Sequence, residues 1–318
     1  MHIADRMMRS IPFYSLLLSV LICFSCQQKD TQPAPTPVDT TVQQEETAPE
    51  PVAPQPALTY RFIKQKEWQQ QKDSLGGAKR LDILTLLNRV DTTHLKRLDS
   101  IIIPSDFSLP LQYYSPFPEQ VEQLKDVNKI IFFSYPTQVF AAYENGSLIL
   151  TGPTNMGKKS SPTPRGLFFT NWKSKKSTST VNASWILKWN FNVHNKLGVG
   201  FHEYALPGYP ISHSCMRLLG ADAEFLYNWA EQWILKNDRE IEAYGTPVII
   251  FGTYPFGKEK PWYQLVEDPN ALVITKDSLN AVIQPHLETI LDRQQHRAAV
   301  ISNRQSKVSN QAEAGNGQ

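Results

Sequence analysis

Between Asn128 and about Gly257 short apolar runs follow one another in close succession, each closed by turn-forming residues, and this rhythm constrains the chain to a mostly β domain. The runs are Lys129 to Ser134, Gln138 to Tyr143, Ser147 to Leu150, Gly166 to Thr170, Trp185 to Val193 and Pro247 to Phe251. Asn145-Gly146, between the second and third, is the strongest hairpin signal in the chain, because a two-residue turn of this kind needs positive φ at both positions. One helix interrupts the strands, with Asp222 as the expected N-cap and Phe225, Leu226, Trp229 and Trp233 on its buried side.

The flanks are of different character. Arg6 and Arg9 precede an apolar run from Ile11 to Phe24, too short for an ordinary membrane-spanning helix and placed as a targeting segment is. It ends at Cys26, after Ser25 and before Gln27-Gln28-Lys29-Asp30, and resembles the lipobox of bacterial lipoproteins, with Cys23 where that pattern usually has Leu. The resemblance implies lipid attachment at Cys26 and a periplasm-facing protein anchored in the cell envelope. From Gln27 to Leu58 there are seven prolines and almost no large apolar residue, the composition of an extended tether. Residues 59–104 read as a small helical prefix, with Leu81, Ile83, Leu84, Leu86, Leu87, Leu95 and Leu98 at spacings that suit a pair of short helices before Ile101-Ile102-Ile103-Pro104. The part from Leu86 to Pro104 faintly resembles the second half of a LysM repeat, with Asp99-Ser100 where that pattern has Gly. The catalytic domain is expected over 105–257, a C-terminal extension with a helix over 258–299 and a disordered tail over 300–318.

Lys plus Arg (32) nearly balances Asp plus Glu (30), so the net charge of +2 gives no dense basic face of the kind nucleic-acid binding requires. Of three cysteines, Cys23 and Cys26 lie in the targeting segment, which leaves Cys215 as a lone thiol that cannot form an intramolecular disulfide. Such a thiol in an oxidising compartment is either buried and inert or kept for its reactivity.

Cys215 stands in Ser212-His213-Ser214-Cys215-Met216-Arg217, after His202 and the turn Leu206-Pro207-Gly208-Tyr209-Pro210. A thiol is a good nucleophile only as thiolate, so it needs an imidazole to hold it as an ion pair or to take its proton. The turn brings His202 within reach of Cys215. The imidazole in turn needs an acceptor that fixes its tautomer, and a backbone carbonyl near Glu203 or the Glu203 carboxylate serves equally well at this level.

These residues resemble the L,D-transpeptidase (YkuD-like) family, whose signature is an upstream His and then Ser/Thr-His-Gly-Cys followed by Arg or Asn. The chain also has Thr163-Pro164-Arg165-Gly166 for the family's Thr-Pro-x-Gly turn, Asp222-Ala223 with Leu226-Tyr227 on the following helix, and Gly245-Thr246-Pro247-Val248 opening the last strand. The likeness spans about residues 128–253. It implies an L,D-transpeptidase-like β-sandwich or barrel with one principal helix after the cysteine, working without a cofactor or metal. Cys215 would be the nucleophile, His202 the base that forms its ion pair and His213 an assisting residue. Ser214 and Ser212 would shape the oxyanion hole and pocket with Arg217, which either orders the pocket or binds a substrate carboxylate. Tyr204, Glu203 and Trp172 are groove candidates. Two departures stand out: Ser214 replaces Gly, and the interval from His202 to Cys215 is short for the family.

The implied reaction is attack by Cys215 on a peptidoglycan stem tetrapeptide, release of D-Ala and a thioester resolved by an amine, giving a 3-3 cross-link, or by water. The expected partners are stem peptides and, through the lipid anchor, a membrane; the protein is expected to be a monomer that binds no nucleic acid. Three alternatives are weighed. A peptidoglycan hydrolase on the same scaffold, as L,D-carboxypeptidase, endopeptidase or protein-detaching amidase, differs only in the acceptor or bond. A zinc site of His202, His213 and Cys215 lacks a fourth ligand. A non-catalytic envelope-binding lipoprotein would leave all three as core residues. His94, His194, His286 and His296 lack evident partners; Trp172, Trp185 and Trp189 are read as core and groove wall, and Lys173-Ser174-Lys175-Lys176 as a solvated loop.

Overall fold

The computed structural model describes residues 58–72 and 80–315; the expected targeting segment, Cys26 and the tether lie outside the described residues. The apolar runs form strands as expected, and the mainly β domain is one curled nine-stranded sheet rather than two facing sheets. Its strands are β3 (Ile130–Ser134), β4 (Val139–Glu144), β5 (Ser147–Asn155), β6 (Gly166–Phe169), β7 (Lys173–Thr178), β8 (Ile186–His194), β9 (Val199–Glu203), β10 (Met216–Leu218) and β13 (Pro247–Phe251). Across the sheet the order is β6-β13-β3-β4-β5-β10-β9-β8-β7. A separate short pair, β11 (Ile234–Leu235) with β12 (Ile241–Ala243), lies outside it. Asn145 and Gly146 have φ of 47° and 81°, the two positive values the hairpin between β4 and β5 demands.

Strand β3 is buried along its whole length, and Phe132, Phe133, Phe140 and Phe201 form the middle of the core with Tyr143. Phe201 of β9 packs against Phe133 and Phe191 at ring distances of 6.1 and 5.4 Å, so the strand that carries His202 is anchored by its neighbour in sequence. Helix α4 (Gly220–Trp229) covers this region with Ala223 and Leu226.

The prefix differs from a purely helical module. Strands β1 (Tyr60–Lys64) and β2 (Ser100–Pro104) pair antiparallel and frame α1 (Gln65–Gln71), α2 (Leu81–Asn88) and α3 (Thr92–Leu95). β1 escaped notice because only Ile63 of its five residues is buried. Leu84, Leu86 and Leu87 of α2 join the same hydrophobic core as the large sheet, so prefix and sheet stabilise each other.

Further expectations are corrected. Leu219, not Asp222, caps α4, and Asp222 sits one turn inside with a buried carboxyl; Phe225 is exposed and Trp229 and Trp233 are half-buried. The lysine-rich run is the edge strand β7, because Lys173 sets its ammonium over the Phe191 and Tyr227 rings and donates to Tyr227 O (2.6 Å) and Ala230 O at the C-terminal end of α4. The C-terminal helical pattern is broken at Pro285 into α5 (Lys276–Ile283) and α6 (Leu287–Gly315). Helix α6, the longest described, runs through the part of the tail expected to be disordered up to Gly315; Arg304 holds it there by pairing with Glu242 and donating to Leu235 O. His94 and His296 do have partners, the Asp91 carboxylate and the Glu242 carbonyl, both at 2.8 Å.

Candidate active site

Strands β9 and β10 are parallel neighbours with Phe201 opposite Met216 and His202 opposite Arg217. A parallel pair needs a crossover of about a dozen residues, and the segment from Tyr204 to Cys215, with its Pro-Gly-Tyr-Pro turn, is that crossover. Its path is fixed from outside. Asp91 Oδ2 accepts from Leu206 N (2.8 Å), Asp91 N donates to Leu206 O (3.1 Å), and Asn155 Oδ1 accepts from Gly208 N (2.9 Å). Burial works against the Asp91 charge, but the Leu206 and His94 amides and the His94 ring hold its carboxyl below the usual range.

Cys215 immediately precedes β10, two residues before Arg217 and therefore on the same face of the sheet. His202, Arg217 and Cys215 line one cleft of about 120 Å³ with Trp172, Trp185 and Tyr204. His202 is buried, and its Nδ1 lies 2.9 Å from the Glu203 carbonyl. A carbonyl only accepts, so this contact assigns the proton to Nδ1 and leaves the Nε2 lone pair free to receive one. The choice that sequence left open falls to the backbone: the Glu203 carboxylate lies on the other face, paired with Lys188 at 3.3 Å. Of the groove candidates, Tyr204 and Trp172 are in the cleft and Glu203 is not.

The Cys215 thiol is half-buried, with Sγ 3.8 Å from Gly198 O. Burial pushes the thiol up, opposed by the Gly200 backbone and the Arg217 charge. Burial pulls the His202 imidazole down to about 4, against the Glu203 hydrogen bond and with help from Arg217. Both effects favour the uncharged forms of the two groups.

Ser212 is pinned by its amide to Met156 O (3.0 Å) and its hydroxyl donates to Cys215 O. Ser214 has φ of 82°, the left-handed region that glycine enters freely and serine does not. Its hydroxyl reaches Ser161 O at 3.3 Å. The Thr-Pro-x-Gly turn supports the same place, since Thr163 Oγ1 accepts from Gly157 N (2.9 Å) and Lys158 N donates to Ser212 O (3.0 Å). A Cβ on Gly157 would come within 2.3 Å of Ser161 O, which explains the glycine. Arg217 donates to Ala205 O (3.2 Å), lies 4.5 Å from the Tyr204 ring centre and forms no carboxylate pair among the described residues. His213 is exposed at the rim, beside Trp185 and 3.3 Å from Lys158 Nζ. Among the described residues no group of three His, Cys, Asp or Glu side chains is placed to hold a metal ion. Asn190, Asn192 and the 177–181 segment were missed as cleft residues.

Residues 128–250 match the family model YkuD, described as the L,D-transpeptidase catalytic domain. Among solved structures the chain is similar to an L,D-transpeptidase from Stackebrandtia nassauensis, at 23% identity over 40% of this chain and 57% of that one, with a TM-score of 0.33. It is also similar to one from Mycobacterium smegmatis (19%, 39% and 59%, TM-score 0.31) and to the Enterococcus faecium L,D-transpeptidase C442S mutant (22%, 39% and 50%, TM-score 0.33). The chain thus spans less than two thirds of the length of these proteins. No curated protein matches it. From residue 128 to residue 250, the stretch that holds His202 and Cys215, the chain carries an L,D-transpeptidase catalytic domain of the YkuD family.

Proposed function

We propose that this protein transfers acyl groups between peptidoglycan stem peptides through a thioester on Cys215, releasing D-Ala and forming 3-3 cross-links. The observation that carries the reading is the placing of Cys215 and His202 in one cleft, with His202 Nδ1 committed to the Glu203 carbonyl and Nε2 left as the proton acceptor. The thiol proton passes to Nε2 as Sγ attacks the carbonyl carbon. The oxyanion is received by the backbone amides of Ser214 and Cys215, whose approach is set by the left-handed Ser214. When the C–N bond breaks, the imidazolium returns the proton to the leaving D-Ala amine. An acceptor amine then attacks the thioester, His202 takes its proton, and the thiol is restored. Arg217, which has no carboxylate partner among the described residues, is the cation available to a stem-peptide carboxylate and to the developing negative charge. His213 and Lys158 form the outer lip, and the protein is held at the envelope by a lipid on Cys26.

The test is intact-mass spectrometry with a carbapenem. One adduct is expected on the full chain and none on Cys215→Ala; an adduct on the variant would overturn the assignment of the nucleophile. Incubation with disaccharide tetrapeptides then distinguishes the acceptors: free D-Ala with dimer is the expected outcome, and D-Ala with tripeptide alone would make the protein an L,D-carboxypeptidase.

A further inference from the structure

Arg89 is one of the largest fully buried side chains, 1% exposed, at the left-handed C-cap of α2. Its Nε donates to Thr137 O (2.7 Å), its Nη1 to Leu86 O, and its guanidinium carbon lies 5.6 Å from the Trp262 ring centre. No carboxylate pairs with it among the described residues, and Nη2 makes no hydrogen bond there. The titratable neighbour it feels is Tyr60, whose phenol burial pushes up to about 12 and so keeps uncharged. A buried guanidinium without an anion is an unusual state, since charges taken out of water are ordinarily paired.

Arg89 also borders a cavity of about 400 Å³ that shares no wall residue with the Cys215 cleft and whose other walls include Leu58, Tyr60, Tyr114, Leu265 and Leu272. Its walls are mainly aromatic and aliphatic, and Arg89 is the single charged side chain among them. A pocket with apolar walls and one fixed, uncompensated donor group selects a ligand with an apolar body and one negative head. Guanidinium geometry suits a carboxylate, and the low-dielectric surroundings strengthen that contact. Tyr114 has already donated its hydroxyl to Asp106 O (2.7 Å), so this phenol offers its ring face rather than a competing proton.

We infer that the cavity beside Arg89 is a binding site for a small organic carboxylate with an apolar or aromatic body, separate from the acyl-transfer cleft. The site stands independently of the proposed reaction, because none of its wall residues lines the Cys215 cleft.

Isothermal titration of the full chain with benzoate and hexanoate, and with benzamide and hexanamide as uncharged counterparts, tests this. Each carboxylate is expected to bind at least about tenfold more tightly than its amide, and Arg89→Met is expected to abolish the difference. Inorganic phosphate, an anion without an apolar body, is expected to bind more weakly than benzoate. Equal binding of acid and amide, phosphate as tight as benzoate, or no binding of either carboxylate at about 10 mM would each overturn the inference. Should Arg89→Met not fold, Val273→Trp decides, since Val273 is a largely exposed wall residue and the indole would fill the cavity while Arg89 stays in place. Loss of benzoate binding with carbapenem acylation unchanged supports the site; benzoate affinity undiminished in that variant overturns it.

Discussion

Replacing Asp222 by Asn should change how stability depends on pH, and the size of the change follows from the burial of one carboxyl. Asp222 lies in the first turn of α4, its Oδ2 has no hydrogen-bond partner among the described residues, and burial pushes its pKa from 3.8 to about 7. Between these values the folded protein keeps a proton that the unfolded chain has released, so stability falls as pH rises and the full loss is present above about pH 7. At roughly 1.36 kcal/mol per pH unit this amounts to about 4 kcal/mol, an upper figure because relaxation and water entry reduce it. His202 acts in the opposite sense. Its pKa is about 4 in the fold against 6.5 unfolded, so the unfolded chain takes up the extra proton and stability is lost as pH falls through that interval, by about 3 kcal/mol. In the wild type the two slopes nearly cancel between pH 4 and 6.5. Asp222→Asn keeps the shape and removes the charge, and should expose the His202 slope. Urea unfolding followed by tryptophan fluorescence at pH 4.5, 6 and 8 measures this. The stability of the variant relative to wild type should rise by several kcal/mol from pH 4.5 to 8, and a difference that stays flat across the range would refute the reasoning.

Arg217→Gln removes the charge that opposes the rise of the Cys215 pKa; carbapenem acylation should slow at neutral pH and its pH–rate profile should move to higher pH, read by stopped-flow or intact mass. Ser214→Gly should raise thermal stability by up to about 1 kcal/mol by relieving the left-handed backbone, whereas Ser214→Ala, which keeps the conformation and loses the bond to Ser161, should fall below wild type. Asp91→Ala removes the cap of α3 and the acceptor of Leu206 N together. A loss of about 2 kcal/mol in urea unfolding is expected, with slower acylation because the crossover between β9 and β10 loses an anchor.

What could be read in advance was what is encoded locally. The six strand runs and the Asn145-Gly146 turn depend on residues adjacent in sequence, and the structure places a strand at every run. The order His202, Ser212, His213, Cys215, Arg217 was legible for the same reason, and the cleft brings those side chains together. What escaped depends on distant partners. Lysines are poor strand formers, so β7 was invisible until Tyr227 and Ala230, more than fifty residues on, offered Lys173 their carbonyls. Asp222 has the chemistry of a cap and lies instead where Gly152 leaves room for it: a Cβ there would come within 2.4 Å of Oδ2. The polar end of α6 read as a tail because Glu242, its partner, lies on a separate strand.

Distant partners also join the matched stretch and the prefix into one body. Matched sequence begins at residue 128, but the crossover that brings His202 and Cys215 to one cleft is held partly by residues before it. Asp91 caps α3 through His94 N and receives Leu206 N with its other oxygen, so one carboxylate ties a prefix helix to the crossover. Val90 bridges to Pro207, and Asn155 joins the Arg89 carbonyl to the Gly208 amide. A short crossover with prolines at both sides of Gly208 cannot supply its own hydrogen-bond partners for these amides. Its trimmed length is therefore compatible with an ordered site because Asp91 at the N-cap of α3 and Asn155 at the end of β5 provide the acceptors, and the fully buried leucines of α2 keep the prefix helices against the sheet.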